Sequence, residues 1–177
     1  TLFRSAFLHA KGYALTKVSS NVVGLISAGD TGLGDIDIQG GTLTFSRSTT
    51  LGDPSKKITV RSNATLRLHR TSEFINPNIL NKVISMTNAI FDIEGNGLTN
   101  NQFAGPVTLT DSNTFSLPAT TGLTLTGPVN GSGSATVIGP GTLVLSGNAN
   151  YTGGTTLNGA VLQVDGTLST GAQPLAI

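Results

Sequence analysis

Apolar and polar residues alternate along most of this chain, in short runs that end at glycine, asparagine or serine. The clearest two runs are GTLVLSG at 141–147 and GAVLQVDG at 159–166, which lie 19 residues apart when their leucines are aligned. A two-residue alternation predicts β-strands, whereas helical periodicity is nearly missing. Because one strand pattern returns with a nearly constant period, we predict stacked coils of a solenoid.

The same alternation is found upstream, in four runs that follow one another at offsets of 23, 25 and 24 residues. A coil of this length has room for about three short strands and three turns, and the connecting segments are rich in the turn residues Gly, Asn, Ser and Pro. We therefore predict an all-β fold, a right-handed parallel β-helix of about seven coils over residues 21–177. The apolar pairs expected to stack inside it are Leu43/Phe45, Leu66/Leu68, Phe91/Ile93 and Phe115/Leu117.

The first 20 residues follow a different pattern, with apolar residues at helical spacing. An open end of a solenoid exposes unpaired strand edges and needs a cover. We therefore predict an N-terminal cap segment over residues 1–20. Its apolar stripe consists of Leu2, Phe3, Ala6, Phe7, Ala10 and Ala14.

Composition excludes several function classes. Cysteine is absent, so disulfides, thiolate metal sites and cysteine nucleophiles are excluded. There is no apolar run of transmembrane length, and we expect no membrane insertion. Every Lys and Arg lies at or before Lys82, which indicates either a basic half that meets an anionic partner or an ordinary solvated surface. No basic cluster is interleaved with aromatic residues, so we expect no nucleic-acid partner.

The segment GPGTLVLSGNANYTGGTTLNGAVLQVDG at 139–166 resembles the autotransporter-associated β-strand repeat, through its GTLVLSG, its NANYTGGTT and its GAVLQV. The resemblance implies a right-handed parallel β-helix in an exported bacterial protein, extracellular or at the cell surface, with neighbouring domains in a larger secreted chain. Passengers with this repeat serve in adhesion. The pattern is also similar to parallel β-helices that act as carbohydrate-binding modules beside glycoside hydrolases.

If the predicted register holds, the residues between the inward pairs point outward. Arg67 then lies beside Asp92, and His69 beside Glu94, on neighbouring coils. One interpretation is cross-coil ion pairing worth about 0–1 kcal/mol per pair, and the other is a polar strip that binds a sugar. Tyr151, the tyrosine of the repeat motif, is a further candidate for sugar binding; its alternative role is to pack one coil on the next.

The segment GDTGLGDIDIQGG at 29–41 is similar to calcium-binding nonapeptide repeats, although it occurs once and its spacing differs. Asp30, Asp35 and Asp37 are therefore candidate oxygen ligands of one structural Ca²⁺, and a tight turn before a strand is the alternative. We expect no other cofactor. The chain has no G-x-S-x-G, P-loop or H-E-x-x-H motif, and the carboxylate pair Asp92 and Glu94 is a weak indication of catalysis, so we expect a non-catalytic protein.

Two functional hypotheses follow. The first is a carbohydrate-binding module for plant or cell-wall polysaccharide, xylan as the first guess, attached to a glycoside hydrolase. The second is an autotransporter passenger or adhesin fragment that acts as a cell-surface stalk or binder.

Overall fold

The computed structural model describes residues 10–26, 31–46, 51–69, 79–95, 97, 99–169 and 175–176. All regular elements in these ranges are β-strands, and they form three parallel sheets. The strands of each sheet are joined by crossovers through the other sheets, so the chain winds as a parallel β-helix. The predicted fold class is confirmed, and a right-handed winding is the sense that parallel crossovers favour.

The first sheet has eight strands, one above the other along the solenoid axis. Its strands are β1 (Leu15–Lys17), β3 (Ile36–Ile38), β5 (Lys57–Val60), β8 (Val83–Thr87), β11 (Val107–Thr110), β14 (Val129–Gly131), β17 (Asn148–Ala149) and β20 (Thr167–Leu168).

The second sheet also has eight strands. Its strands are β2 (Val22–Ile26), β4 (Thr42–Ser46), β6 (Thr65–His69), β9 (Ile90–Glu94), β12 (Ser112–Ser116), β15 (Ser134–Ile138), β18 (Thr155–Asn158) and β21 (Leu175–Ala176).

The third sheet has five strands and begins only halfway along the chain. In the earlier coils, the side it would occupy contains the described residues 31–35 and 51–56, which form no strand but bury Leu33 and Leu51. Within the described residues, the N-terminal coils thus have two sheets and the later coils have three. The strands of this sheet are β7 (Ile79–Leu80), β10 (Asn101–Phe103), β13 (Gly122–Leu125), β16 (Thr142–Leu145) and β19 (Val161–Val164).

The apolar core lies inside the coils and follows the predicted ladders. In the second sheet Leu43 is in register with Leu66, Leu66 with Phe91 and Phe91 with Phe115, and all four are at most 1% exposed. The ring of Phe91 also meets Phe103 of the third sheet edge to face, with centroids 4.8 Å apart. The strands at 141–147 and 159–166 stack as expected, with Leu143 in register with Leu162.

Asparagine and aspartate form the short bends between the first and second sheets. Asn63, Asn88 and Asp111 have positive φ angles of 63°, 46° and 56°, a conformation that these side chains tolerate better than most. Just beyond one bend Asn113 is fully buried; its Oδ1 accepts a hydrogen bond from the Ala89 amide at 3.1 Å. These polar residues let the chain turn sharply while the backbone groups at the bend stay paired.

The predicted N-terminal cap is not confirmed. Residues 1–9 of it lie outside the described residues. Of the remainder, Lys11 and Gly12 form a turn and residues 15–17 are already strand β1. In the part of the chain that the structure describes, no helix has the length and apolar character needed to cross a membrane.

Candidate functional site

The outer face of the second sheet carries a column of polar side chains. Thr44 is in register with Arg67, Arg67 with Asp92, and Asp92 with Ser116. Their neighbours along each strand point into the core, so these four side chains point outward. Neighbouring members of the column are about 4.8 Å apart along the axis. We call this column, with His69 and Glu94 beside it, the polar strip.

Arg67 and Asp92 form the half-buried centre of the polar strip. Arg67 donates a hydrogen bond from Nε to Oδ2 of Asp92 at 2.7 Å, and its Nη1 lies 3.8 Å from Oε2 of Glu94. The two side chains are 28% and 18% exposed. The predicted cross-coil pair is confirmed, and it remains open to solvent.

His69 and Glu94 form a second pair on the same coils. Nδ1 of His69 lies 2.8 Å from Oε2 of Glu94, and the carboxylate accepts the hydrogen bond. Both side chains are more exposed than the first pair. The predicted neighbourhood of these two residues is therefore also confirmed.

Thr44 departs from the expectation of a solvent-facing column. It is 3% exposed, and its Oγ1 has no hydrogen-bond partner among the described residues. A buried hydroxyl without a partner is uncommon because no hydrogen bond offsets the free energy of removing it from water. The polar strip is thus covered at Thr44 and opens towards Asp92 and Glu94.

The ring of Tyr151 is not accessible to a sugar. It is 1% exposed, and its hydroxyl hydrogen-bonds to Oγ1 of Thr155 across the bend between β17 and β18. Burial raises the pKa of the phenol. Of the two roles considered for this residue, the structure places it in the packing of the coil and not on the surface.

Asp35 and Asp37 make protein contacts of their own. Asp37 accepts hydrogen bonds from Arg61 Nε at 2.7 Å and Nη2 at 2.9 Å, and the bond from Arg61 is the main reason that its pKa is lowered. Asp35 accepts a hydrogen bond from the Lys57 amide at 3.0 Å. Asp30 lies outside the described residues, and the described residues contain no group of three or more His, Cys, Asp or Glu that could hold a metal ion. The calcium site stays a prediction.

Two buried lysines were not apparent in the sequence. Lys82 is 1% exposed and donates hydrogen bonds from Nζ to the carbonyl oxygens of Leu51 at 2.7 Å and Asp53 at 2.8 Å. Lys17 similarly donates to the carbonyl oxygens of Gly40, at 2.9 Å, and Ser19. Burial lowers the pKa of both ammonium groups. Their position next to a turn gave no signal of burial, because a lysine there is ordinarily exposed.

The three-sheeted coils and their in-register ladders define a parallel β-helix built from short strand repeats. Residues 136–164 match the family model of the passenger-associated transport repeat. This match confirms the resemblance seen at 139–166 and indicates a passenger-type β-helix of a secreted or surface protein. No curated protein and no solved structure matches the chain.

Proposed function

We propose that this chain is part of the passenger of an autotransporter-type protein, and that it acts without catalysis as a cell-surface stalk. One observation carries the proposal: the matched repeat, 136–164, forms a coil that stacks in register on the coils before it. The repeat is therefore one coil of a continuous solenoid.

The dimensions and surface of the solenoid support a stalk. Eight stacked strands extend the first sheet by about 34 Å at the usual spacing of strands. One apolar core cluster runs through most of that length, from Leu25 to Tyr151. Because each coil contacts mainly its neighbours, such a rod gains length without a new kind of interface.

The first hypothesis from the sequence, a carbohydrate-binding module attached to a glycoside hydrolase, gains no support from the comparisons. They match only the passenger repeat. The alternative, a passenger or adhesin fragment, is the better supported of the two.

Surface exposure on the producing cells tests the proposal. An antibody against the folded chain should label intact cells, and external proteinase K should remove the signal before lysis while a cytoplasmic marker stays intact. Labelling that requires permeabilised cells would contradict a surface location.

Two substitutions within β16 test whether the repeat coil is needed. Leu143 is buried in the core, whereas Val144 alternates with it and points outward. We expect Leu143→Asp to abolish the surface signal and Val144→Asp, the matched control, to preserve it. Equal surface levels of both variants would show that the stacking of this coil is not what the cell requires.

A further inference from the structure

We infer that the polar strip binds an uncharged polysaccharide, laid along the solenoid axis over the outer face of the second sheet. This binding site is independent of the stalk role. A stalk without it would still be displayed on the cell, so the two proposals fail separately.

The polar strip contains hydrogen-bonding groups that have no partner among the described residues. Nε of Arg67 donates its hydrogen bond to Asp92. The nearest carboxylate oxygen to Nη1 belongs to Glu94 and is 3.8 Å away. That distance is beyond hydrogen-bonding range, so within the described part of the chain the outer guanidinium nitrogens keep donors for a ligand. Thr44 is covered and adds no contact. On the next coil the carboxylate of Glu94 is 49% exposed and can accept a hydrogen bond, so donors and acceptors lie within one coil spacing of each other.

The charges of the polar strip select an uncharged ligand. One guanidinium and one imidazole face two carboxylates, Asp92 and Glu94, and Glu94 is the most exposed of the four side chains. An acidic sugar would approach Glu94 and be repelled. A sugar hydroxyl can donate to a carboxylate and accept from a guanidinium at once, which matches the spare groups.

A second column explains why the ligand would run along the axis. Immediately beside the polar strip, the outward positions of the second sheet repeat mostly as threonine over six consecutive coils, between Val22 of the first coil and Ala176 of the last. Each member is about 4.8 Å from the next and presents a hydroxyl or a methyl group. This column consists of Thr42, Thr65, Ile90, Thr114, Thr136 and Thr156. An extended polymer would meet the same kind of contact at every coil.

The placement of the aromatic residues predicts that the ligand is held by hydrogen bonds and not by ring stacking. Trp is absent from the chain, and Tyr151 is buried. Stacking against a sugar ring, the usual source of tight binding, is not offered by the polar strip. Binding by hydrogen bonds along several coils predicts modest affinity that increases with the length of the ligand.

Affinity electrophoresis of the whole chain tests the site. The probes are xylan, mixed-linkage glucan and galactomannan, with polygalacturonate as the acidic comparison. We expect retardation by at least one uncharged polymer and a loss of about tenfold or more in affinity for Arg67→Ala and Asp92→Ala, since each removes a hydrogen bond to a charged group. Arg61→Ala is the matched control: it breaks a cross-coil ion pair of the same 2.7 Å length away from the strip and should bind like the wild type.

Several outcomes would overturn the inference. Retardation by none of the uncharged polymers would end it, as would retardation by polygalacturonate alone. Binding that survives both strip substitutions would place the ligand elsewhere. Circular dichroism and thermal unfolding of each variant, compared with Arg61→Ala, show whether a loss of binding comes from the site itself or from unfolding of the variant.

The orientation has its own test. Thr114→Ala and Thr136→Ala lie one and two coils beyond Asp92. They should weaken the binding of long oligosaccharides and leave that of disaccharides unchanged. If both lengths are affected equally, or neither is, the ligand does not run along the axis.

Discussion

The ammonium group of Lys82 lies 2.7 Å from the carbonyl oxygen of Leu51, a residue that precedes it by 31 positions. Lys82 follows β7, the first strand of the third sheet, and Leu51 belongs to the side of the N-terminal coils where the described residues form no strand. A second hydrogen bond reaches the carbonyl of Asp53. Lys82 thus joins the two-sheeted part of the solenoid to the three-sheeted part.

Lys82→Met should destabilise the protein. Methionine fills much of the same space but leaves the carbonyl oxygens of Leu51 and Asp53 without their donor, at a cost of about 1–3 kcal/mol. The free energy of unfolding from urea titration measures the change, with Lys56→Met, at an exposed position, as the control. Equal stability of the two variants would mean that water replaces the ammonium group without cost.

The buried ammonium group also predicts a pH dependence. Burial lowers the pKa of Lys82 in the folded chain, so the unfolded chain holds this proton more tightly. The free energy of unfolding should therefore rise as pH increases through the folded-state pKa towards the unfolded value of about 10.4. Compared with Lys82→Met at each pH, the wild type should gain stability as the pH is raised from neutral to the unfolded-state pKa of about 10.4. A constant difference across that range would contradict the prediction.

The fold could be predicted because the alternation of apolar and polar residues and the regular spacing of the strand pattern are both visible in the sequence. Leu66 and Phe91 were placed in register from their spacing alone, and the same register set Arg67 beside Asp92 and His69 beside Glu94. A shift of the strand register by one residue would have put the charged side chains in the core. The burial of the apolar side chains therefore determines which charged side chains lie next to each other.

Other features depend on contacts between distant segments and leave no local pattern. Lys82 occupies the turn position at which the next coil has Gly105, and nothing beside it in sequence shows that Leu51 and Asp53 cover it. Thr44 has the outward position that was expected, but its burial depends on what lies over the sheet. The described segments 31–35 and 51–56 form no strand of the third sheet, and because they lack alternation, sequence patterns leave their structure undetermined.

The pair Asp37 and Arg61 predicts an acid-dependent contribution to stability. The hydrogen bond from Arg61 lowers the pKa of Asp37 in the folded state. Its stabilisation is present above the unfolded value of about 3.9 and is lost as pH falls through the folded-state pKa. Arg61→Ala should be slightly less stable than the wild type at neutral pH and equal to it in acid. Chemical unfolding at both pH values measures this, and a difference that persists in acid would assign the effect of Arg61 to packing.

Gly127 should not tolerate alanine. It lies in the turn between the third and first sheets, directly against Gly105 of the coil before, and an added Cβ would overlap the carbonyl oxygen of Gly105. Forcing the coils apart there should cost about 1–3 kcal/mol or more. Gly159 is the control: its φ of 72° is strained for alanine, but no atom lies within 4 Å of the added Cβ, so the expected cost is about 1 kcal/mol. A smaller loss at Gly127 than at Gly159, from thermal unfolding of both variants, would contradict the close contact.

Thr44→Val separates stability from binding in a single substitution. The hydroxyl of Thr44 is buried and has no partner among the described residues, so valine of nearly the same shape should leave the free energy of unfolding unchanged or raise it by up to about 1–3 kcal/mol. Because that hydroxyl is covered, the same variant should bind an uncharged polysaccharide like the wild type. Thr44→Ser, which keeps the hydroxyl and loses the methyl group, should lower the stability and leave binding unchanged. Urea unfolding and affinity electrophoresis on the same preparations measure both properties. A loss of stability in Thr44→Val would show that the hydroxyl is satisfied in solution, and a loss of binding would show that a ligand reaches it.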